Sequence, residues 1–206
     1  MSNLTRIIRR GYSTIRDGKL LQVLHSRIKE DQSLDFKGHK DGSLGNFELS
    51  WNGPRSIDVI LRRKFDSGEE IAVSALLGAI NYAGEDSFPY KPLMKICIKK
   101  PDLSTLLQFD CVIENEGHGL SELLIKRACC LPSTNCFGES PYRGPVYSDL
   151  DPQLQAMFKE YLNDRGIGED LVNFIILHLH RKDNDQYVNW LSRVEAMVSK
   201  TPNDQC

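Results

Sequence analysis

No stretch of this 206-residue chain is apolar over the ~20 residues that a membrane-crossing helix requires, so a helical transmembrane protein is excluded. Six cysteines (Cys97, Cys111, Cys129, Cys130, Cys136 and Cys206) include no Cys-x-x-Cys pair and no metal-binding spacing. A chain of this size needs no disulfide framework, and Cys97 and Cys111 fall in apolar, strand-like runs where a free thiol acts as a small hydrophobe. A reducing compartment follows. Of the five histidines (His25, His39, His118, His178 and His180), His178 and His180 stand two apart on a helical pattern. They point to different faces and cannot chelate a metal as an i, i+4 pair does. No phosphate-cradling glycine loop, nucleotide fingerprint, nucleophile elbow or zinc-protease helix occurs, and Gly42-Ser-Leu-Gly45 lacks the lysine of a phosphate loop. Neither a cofactor nor a metal is implied.

What is present is strong patterning. Hydrophobic content of 40% and charged content of 26% are those of a soluble globular chain. Leu20, Leu21, Leu24 and Ile28 mark a helix over residues 19–30, and residues 32–45 read as a mobile connection. Six apolar, partly alternating runs follow: residues 47–51, 57–61, 71–77, 93–98, 106–112 and 123–129. Turn residues separate them, residues 81–92 read as a long loop, and Arg62-Arg63-Lys64 reads as a solvated strand end. Then Asp149-Leu-Asp-Pro152 caps a helix whose stripe is Leu150, Leu154, Met157, Phe158, Tyr161 and Leu162, and Gly166 ends it. Leu171, Phe174, Ile175 and His178 mark a second helix. The polar break at residues 180–185 opens a third, with the stripe Tyr187, Trp190, Leu191, Val194 and Met197. Strands in series followed by helices give an α+β arrangement, an antiparallel sheet with helices packed on it.

The net charge of −2 hides an asymmetry. Residues 1–16 hold Arg6, Arg9, Arg10 and Arg16, no acid, and interleaved hydroxylated and apolar residues, the composition of a mitochondrial transit peptide. A solvated basic arm is the plainer alternative. Arg10-Gly-Tyr-Ser13 is similar to a matrix processing site, with cleavage between Tyr12 and Ser13. Cleavage there lowers the basic count from 26 to 23 against 28 acids, a net charge of −5. A phosphate-dominated nucleic-acid surface does not fit that balance.

Several motifs together resemble the mitochondrial glycoprotein family, also called the mitochondrial acidic matrix protein or complement globular-head receptor family, in its plant-type members. They are Asp58-Val-Ile-Leu-Arg-Arg63, Glu69-Glu-Ile-Ala-Val-Ser-Ala75, Leu106-Leu-Gln-Phe-Asp-Cys111, Tyr142-Arg-Gly-Pro, Leu150-Asp-Pro-Gln-Leu154, Tyr161-Leu-Asn-Asp-Arg-Gly-Ile167 and Gln186-Tyr-Val-Asn-Trp-Leu191. The resemblance covers nearly everything after Gly42. It implies a strongly twisted antiparallel sheet of about seven strands, one N-terminal helix, C-terminal helices, and a ring-shaped homotrimer. The domains are then a transit peptide at 1–12, an N-terminal helix and mobile connection at 13–45, and the family domain at 46–200, with its sheet at 46–130 and its helices at 148–200. The family's best-known members carry long acidic stretches, but here the acids are scattered in pairs such as Glu69-Glu70. Charge alone therefore does not mark this chain as a binder of basic partners.

The resemblance implies a non-catalytic matrix protein that binds itself and other matrix macromolecules. The expected role is chaperone-like, supporting mitochondrial ribosome assembly, translation or oxidative phosphorylation, without membrane insertion. Tyr187, Trp190, Leu191, Val194 and Met197 are its expected core or oligomer interface. Two other classes stay open. One is an enzyme whose site, from residues such as His178, Asp183 and Tyr187, forms between subunits. The other is a single-stranded nucleic-acid binder in which Tyr187 and Trp190 with Arg193 stack bases. Cys129-Cys130 beside Lys126-Arg127 invites an activated thiolate, but an idle thiol on a strand is the stronger reading. The address is testable by itself: residues 1–30 fused to a fluorescent reporter should carry it into mitochondria, and a cytosolic reporter would sink the assignment.

Overall fold

The computed structural model describes residues 3–33, 42–53, 56–80, 90–115, 121–132 and 142–199. His39, His118, Cys136, Cys206 and the connection at 34–41 lie outside them, as does most of the loop expected at 81–92. The elements are α1 (Asn3–Gln32), β1 (Glu48–Trp51), β2 (Asp58–Lys64), β3 (Glu70–Ile80), β4 (Tyr90–Lys99), β5 (Thr105–Asn115) and β6 (Ser121–Pro132). A 3-10 turn (Tyr147–Asp149), α2 (Pro152–Asn163) and α3 (Glu169–Ser199) follow. They form two compact units, described separately: residues 37–180, and residues 1–36 with 181–206.

In the first unit the strands make one antiparallel meander in the order β1-β2-β3-β4-β5-β6. Strand geometry sends alternate side chains to opposite faces. Val59 and Leu61 of β2, Ile71, Val73, Ala75 and Leu77 of β3, and Met94, Ile96 and Ile98 of β4 are therefore all buried on one side. Phe109 and Cys111 of β5 and Ile125 of β6 continue that face. Leu162 of α2 and Leu171, Val172, Ile175, Ile176 and Leu179 of α3 close the same core. Phe158 of α2 meets Phe109 edge to face, with centroids 5.4 Å apart. Asp151 caps α2, its Oδ1 accepting from Gln153 N at 2.8 Å, and Pro152 follows as the capping pattern predicts.

Among the described residues six strands stand where about seven are expected. Val146 adds only an isolated antiparallel bridge to Arg127 at the β6 edge. The adjoining residues explain the short pairing. Pro145 has no N–H to give, and Gly144 has φ +74° with a would-be Cβ 2.5 Å from the Ala128 carbonyl oxygen. Pro92 is not in a loop; it pairs with Leu77 near the start of β4.

Arg63 corrects another expectation. Alternation turns it to the core side, and the solvated strand end is left to Arg62 and Lys64. The Arg63 guanidinium lies 4.1 Å from the centroid of the Phe65 ring and donates from Nη1 to the Arg165 carbonyl at 2.8 Å. Arg165 donates from Nε and Nη2 to the two carboxylate oxygens of Glu69, at 2.8 and 3.2 Å. That ion pair is largely buried, with side-chain exposures of 18% for Arg165 and 10% for Glu69. The connection between α2 and α3 is thereby fastened to the β2–β3 turn. Gly166 makes the connection possible: its φ is +81°, and Ile167 N–H returns to the Leu162 carbonyl at 3.0 Å, the pattern of a helix closed by a left-handed residue.

In the second unit α1 runs from Asn3, well before the residue 19 expected, so Tyr12 and Ser13 lie on helical backbone. It pairs antiparallel with the C-terminal part of α3. His25 Nδ1 bonds Glu195 Oε1, and Asn184 Nδ2 donates to the Asp31 carbonyl at 3.0 Å. The expected break at residues 180–185 is absent, so two C-terminal helices replace three. Those residues are polar, but none is proline or glycine, and Asn184 uses its amide on α1 rather than as a cap. Continuity has a sharp test at exposed Asp185. Asp185→Pro should cost about 3 kcal/mol or more in a urea titration, because proline removes a helix hydrogen bond and clashes with the preceding turn. A helix starting near residue 184 would tolerate it.

Candidate functional site

The α3 stripe divides by burial. Leu191 is 4% exposed, whereas Tyr187 is 38%, Trp190 51% and Met197 80% exposed. Val194 is half-buried. Within one chain Leu191 alone of the stripe is buried. The Tyr187 and Trp190 rings stack, with centroids 5.9 Å apart and 18° between their planes. Arg27 of α1 hydrogen-bonds the Tyr187 side chain and forms an ion pair with Asp31, its Nε 3.0 Å from Oδ2. These contacts, first Tyr187 and then Asp31, hold its guanidinium above the ordinary value. A flat aromatic pair is thus held on a rigid helix with much of its surface open. Leu20 and Val23 of α1 are exposed apolar groups of the same unit. Contiguous apolar exposure of this kind is the feature to weigh in asking what the unit binds.

The residues named for an enzyme site belong to both units and are described unit by unit. His178 belongs to the sheet unit, where Nε2 donates to Asn52 Oδ1 at 3.2 Å and the ring stacks on Phe174. Asp183 and Tyr187 belong to the helical pair. Loss of water on burial raises the Asp183 carboxyl above the usual carboxylate range. His180 is buried while His178 is half-buried, so the two rings have different surroundings. No group of three metal-ligating side chains occurs among the described residues.

The thiols are quiet. Burial pushes Cys111 up to about 12, and Asp110 adds to it. Cys129 is also raised, by burial first and then by Asp110, against the lowering influence of Arg127, Arg143 and Lys95. Its Sγ donates to the Arg143 carbonyl at 2.9 Å. Cys129 is an interior residue of β6, covered by the segment around Gly144, and Cys130 is its exposed neighbour.

Sequence reading missed the convergence of Arg63, Glu69 and Arg165. The signal was present, since each lies in a separate family-like motif. It was read as a list of matches and not as one contact.

Comparison with known proteins places this architecture. The model of the mitochondrial glycoprotein family matches residues 84–198. The mitochondrial acidic protein mam33 of Schizosaccharomyces pombe is 31% identical over 126 residues, 56% of this chain and 46% of that protein. The chain thus spans about half the length of that relative. A mitochondrial protein of Arabidopsis thaliana is 28% identical over 193 residues, 88% of this chain and 74% of its own length. Among solved structures, the Trypanosoma brucei p22 protein superposes with a TM-score of 0.68 at 19% identity, covering 90% of this chain and 100% of that one. A Leishmania major protein described as a sequence homologue of human p32 gives 0.66 at 20% identity, covering 89% and 99%. These likenesses show a shared fold.

The thiol environments predict an order of reactivity. Iodoacetamide at pH 8 should label Cys130 readily and Cys111 and Cys129 only after unfolding. Cys129 modified as fast as Cys130 would contradict the idle-thiol reading. The raised Cys111 value also fixes a sign. Above about pH 8.5 the unfolded thiol ionises while the folded one stays protonated, so its contribution to stability is lost as pH climbs towards 12. Cys111→Ala should flatten that part of the stability profile.

Proposed function

The chain belongs to the mitochondrial glycoprotein family, and on that premise we propose that it is a non-catalytic binding protein of the mitochondrial matrix. It assembles as a homotrimer and serves other matrix macromolecules in a chaperone-like capacity, supporting ribosome assembly, translation or oxidative phosphorylation. Its relatives in Schizosaccharomyces pombe and Arabidopsis thaliana are named mitochondrial, which supports that compartment. The acid-free, arginine-bearing N-terminus supports import into the matrix, with processing between Tyr12 and Ser13.

One observation carries the reading: the open, stacked Tyr187–Trp190 pair on a rigid helix, with Met197 further along it. Large aromatics at the centre of a protein interface contribute most when a partner removes them from water. No described group is set up as an activated nucleophile, and the thiols whose values shift are all raised. A binding role needs none.

Mass measurement by light scattering, with circular dichroism as the folding control, tests the assembly. The wild-type protein at micromolar concentration should weigh three chains. Trp190→Ala should shift the mass towards one chain with its helicity retained, since truncating a tryptophan buried at an interface costs about 3–5 kcal/mol. A monomeric wild type, or a variant unchanged in both mass and stability, contradicts this reading. Crosslinked pull-down from mitochondria with the same pair of proteins then identifies partners. Recovery of metabolic turnover without macromolecular partners would favour the enzyme alternative.

A further inference from the structure

The face of the sheet turned away from its helices carries a second feature. Cross-strand register sets Ala72 of β3 between Arg62 of β2 and Cys97 of β4, while one step towards the strand ends Lys64, Glu70 and Lys99 form the next row. A methyl group and a short thiol thus stand among long cationic side chains. Side-chain length alone makes a depression there, a cavity of about 430 Å³. That volume is within the range of small-molecule sites.

Its charges are unevenly matched. Glu70 is paired with Lys64 at 3.1 Å, and Glu48 lies opposite Arg62 in the β1–β2 register. Among the described residues Arg62 and Lys99 hold no ion pair. Both line the cavity and both are exposed. Arg63 also lines it, but its guanidinium is committed to the Arg165 carbonyl. Arg62 and Lys99, each opposite an acid in the register but in no ion pair among the described residues, therefore flank a floor of Ala72 and Cys97, which offers no acceptor beyond a protonated thiol whose value burial raises. The cavity lining contains no aromatic ring. Single-stranded nucleic acid is held by base stacking as well as by charge, so a polynucleotide fits this place poorly. A compact, multiply charged anion fits it well, because an arginine offers a planar fork and a lysine a point charge to phosphate oxygens.

We propose that the depression over Ala72 binds a compact polyphosphate group, free or carried by a nucleotide. Arg62 and Lys99 engage its oxygens, and Ala72 supplies the space. The full chain titrated calorimetrically with tripolyphosphate and with ATP tests it. Saturable binding of either is expected, weakening with added salt. Equal affinities identify the phosphate chain as the whole ligand, and tighter ATP binding identifies a nucleotide. Arg62→Glu and Lys99→Glu should each weaken binding about tenfold or more. Ala72→Leu, which fills the depression without altering charge, should do the same, and Lys126→Glu on β6 should change little. Circular dichroism establishes that each variant is folded, and should Ala72→Leu fail to fold, the two exposed charge reversals decide. Absence of saturable binding overturns the site. So does a folded Ala72→Leu variant of unchanged affinity, or a Lys126→Glu loss equal to that of Arg62→Glu. A single-stranded oligonucleotide that binds more tightly than ATP and ignores Ala72→Leu overturns it as well.

Discussion

The buried ion pair between Glu69 and Arg165 is the constraint on which the sheet unit depends. Removing a carboxylate and a guanidinium from water costs several kcal/mol for each ion, and the attraction offsets this only where the geometry is good and the remaining donors are satisfied. Here both conditions hold. The contact is bidentate, Arg165 Nη1 donates to the Tyr161 carbonyl at 3.1 Å, and its guanidinium lies 3.5 Å from the centroid of the Tyr161 ring. Arg63 Nη1 then donates to the Arg165 carbonyl. A surface pair such as Lys64–Glu70, with exposures of 71% and 55%, carries no such obligation.

This arrangement explains what the family-like motifs are for. Arg63, Glu69 and Arg165 come from three separate motifs and meet at one point. Gly166 beside them leaves room that a Cβ would take, since that atom would stand 2.8 Å from Arg63 Nη1. Arg63, Glu69 and Arg165 fasten a scaffold. A fold held by internal fastenings leaves its surfaces free to differ.

The strands were legible because each has apolar residues near alternate positions and ends at a turn; all six runs recur as β1 to β6, with β1 and β2 starting one residue later than expected, β2 running on to Lys64, and β3 to β6 extended at both ends. The cap at Asp151 and the stop at Gly166 were legible for the same local reason. Continuity of α3 was not. Residues 180–185 have the composition of a cap, and only the contact between Asn184 and α1 shows that the polar side chains are used across the helix pair. Nor could burial of the stripe be read from its period, since the same spacing suits a core and an interface. Register was equally hidden: nothing in the chain order announces that Lys99 and Arg62 border one depression, although the alternation through Val59 and Leu61 carries Arg63 inward.

The most direct test is a double-mutant cycle on Glu69 and Arg165, read by urea denaturation of the single variants Glu69→Ala and Arg165→Ala and of the pair. If the ion pair fastens the fold, each single change costs about 3–5 kcal/mol by stranding a buried charge or its partners, and the double change costs much less than their sum. The same cycle on Lys64 and Glu70 should give a coupling below about 1 kcal/mol. Additive losses at Glu69 and Arg165, or a coupling no larger than that of the surface pair, would contradict the account.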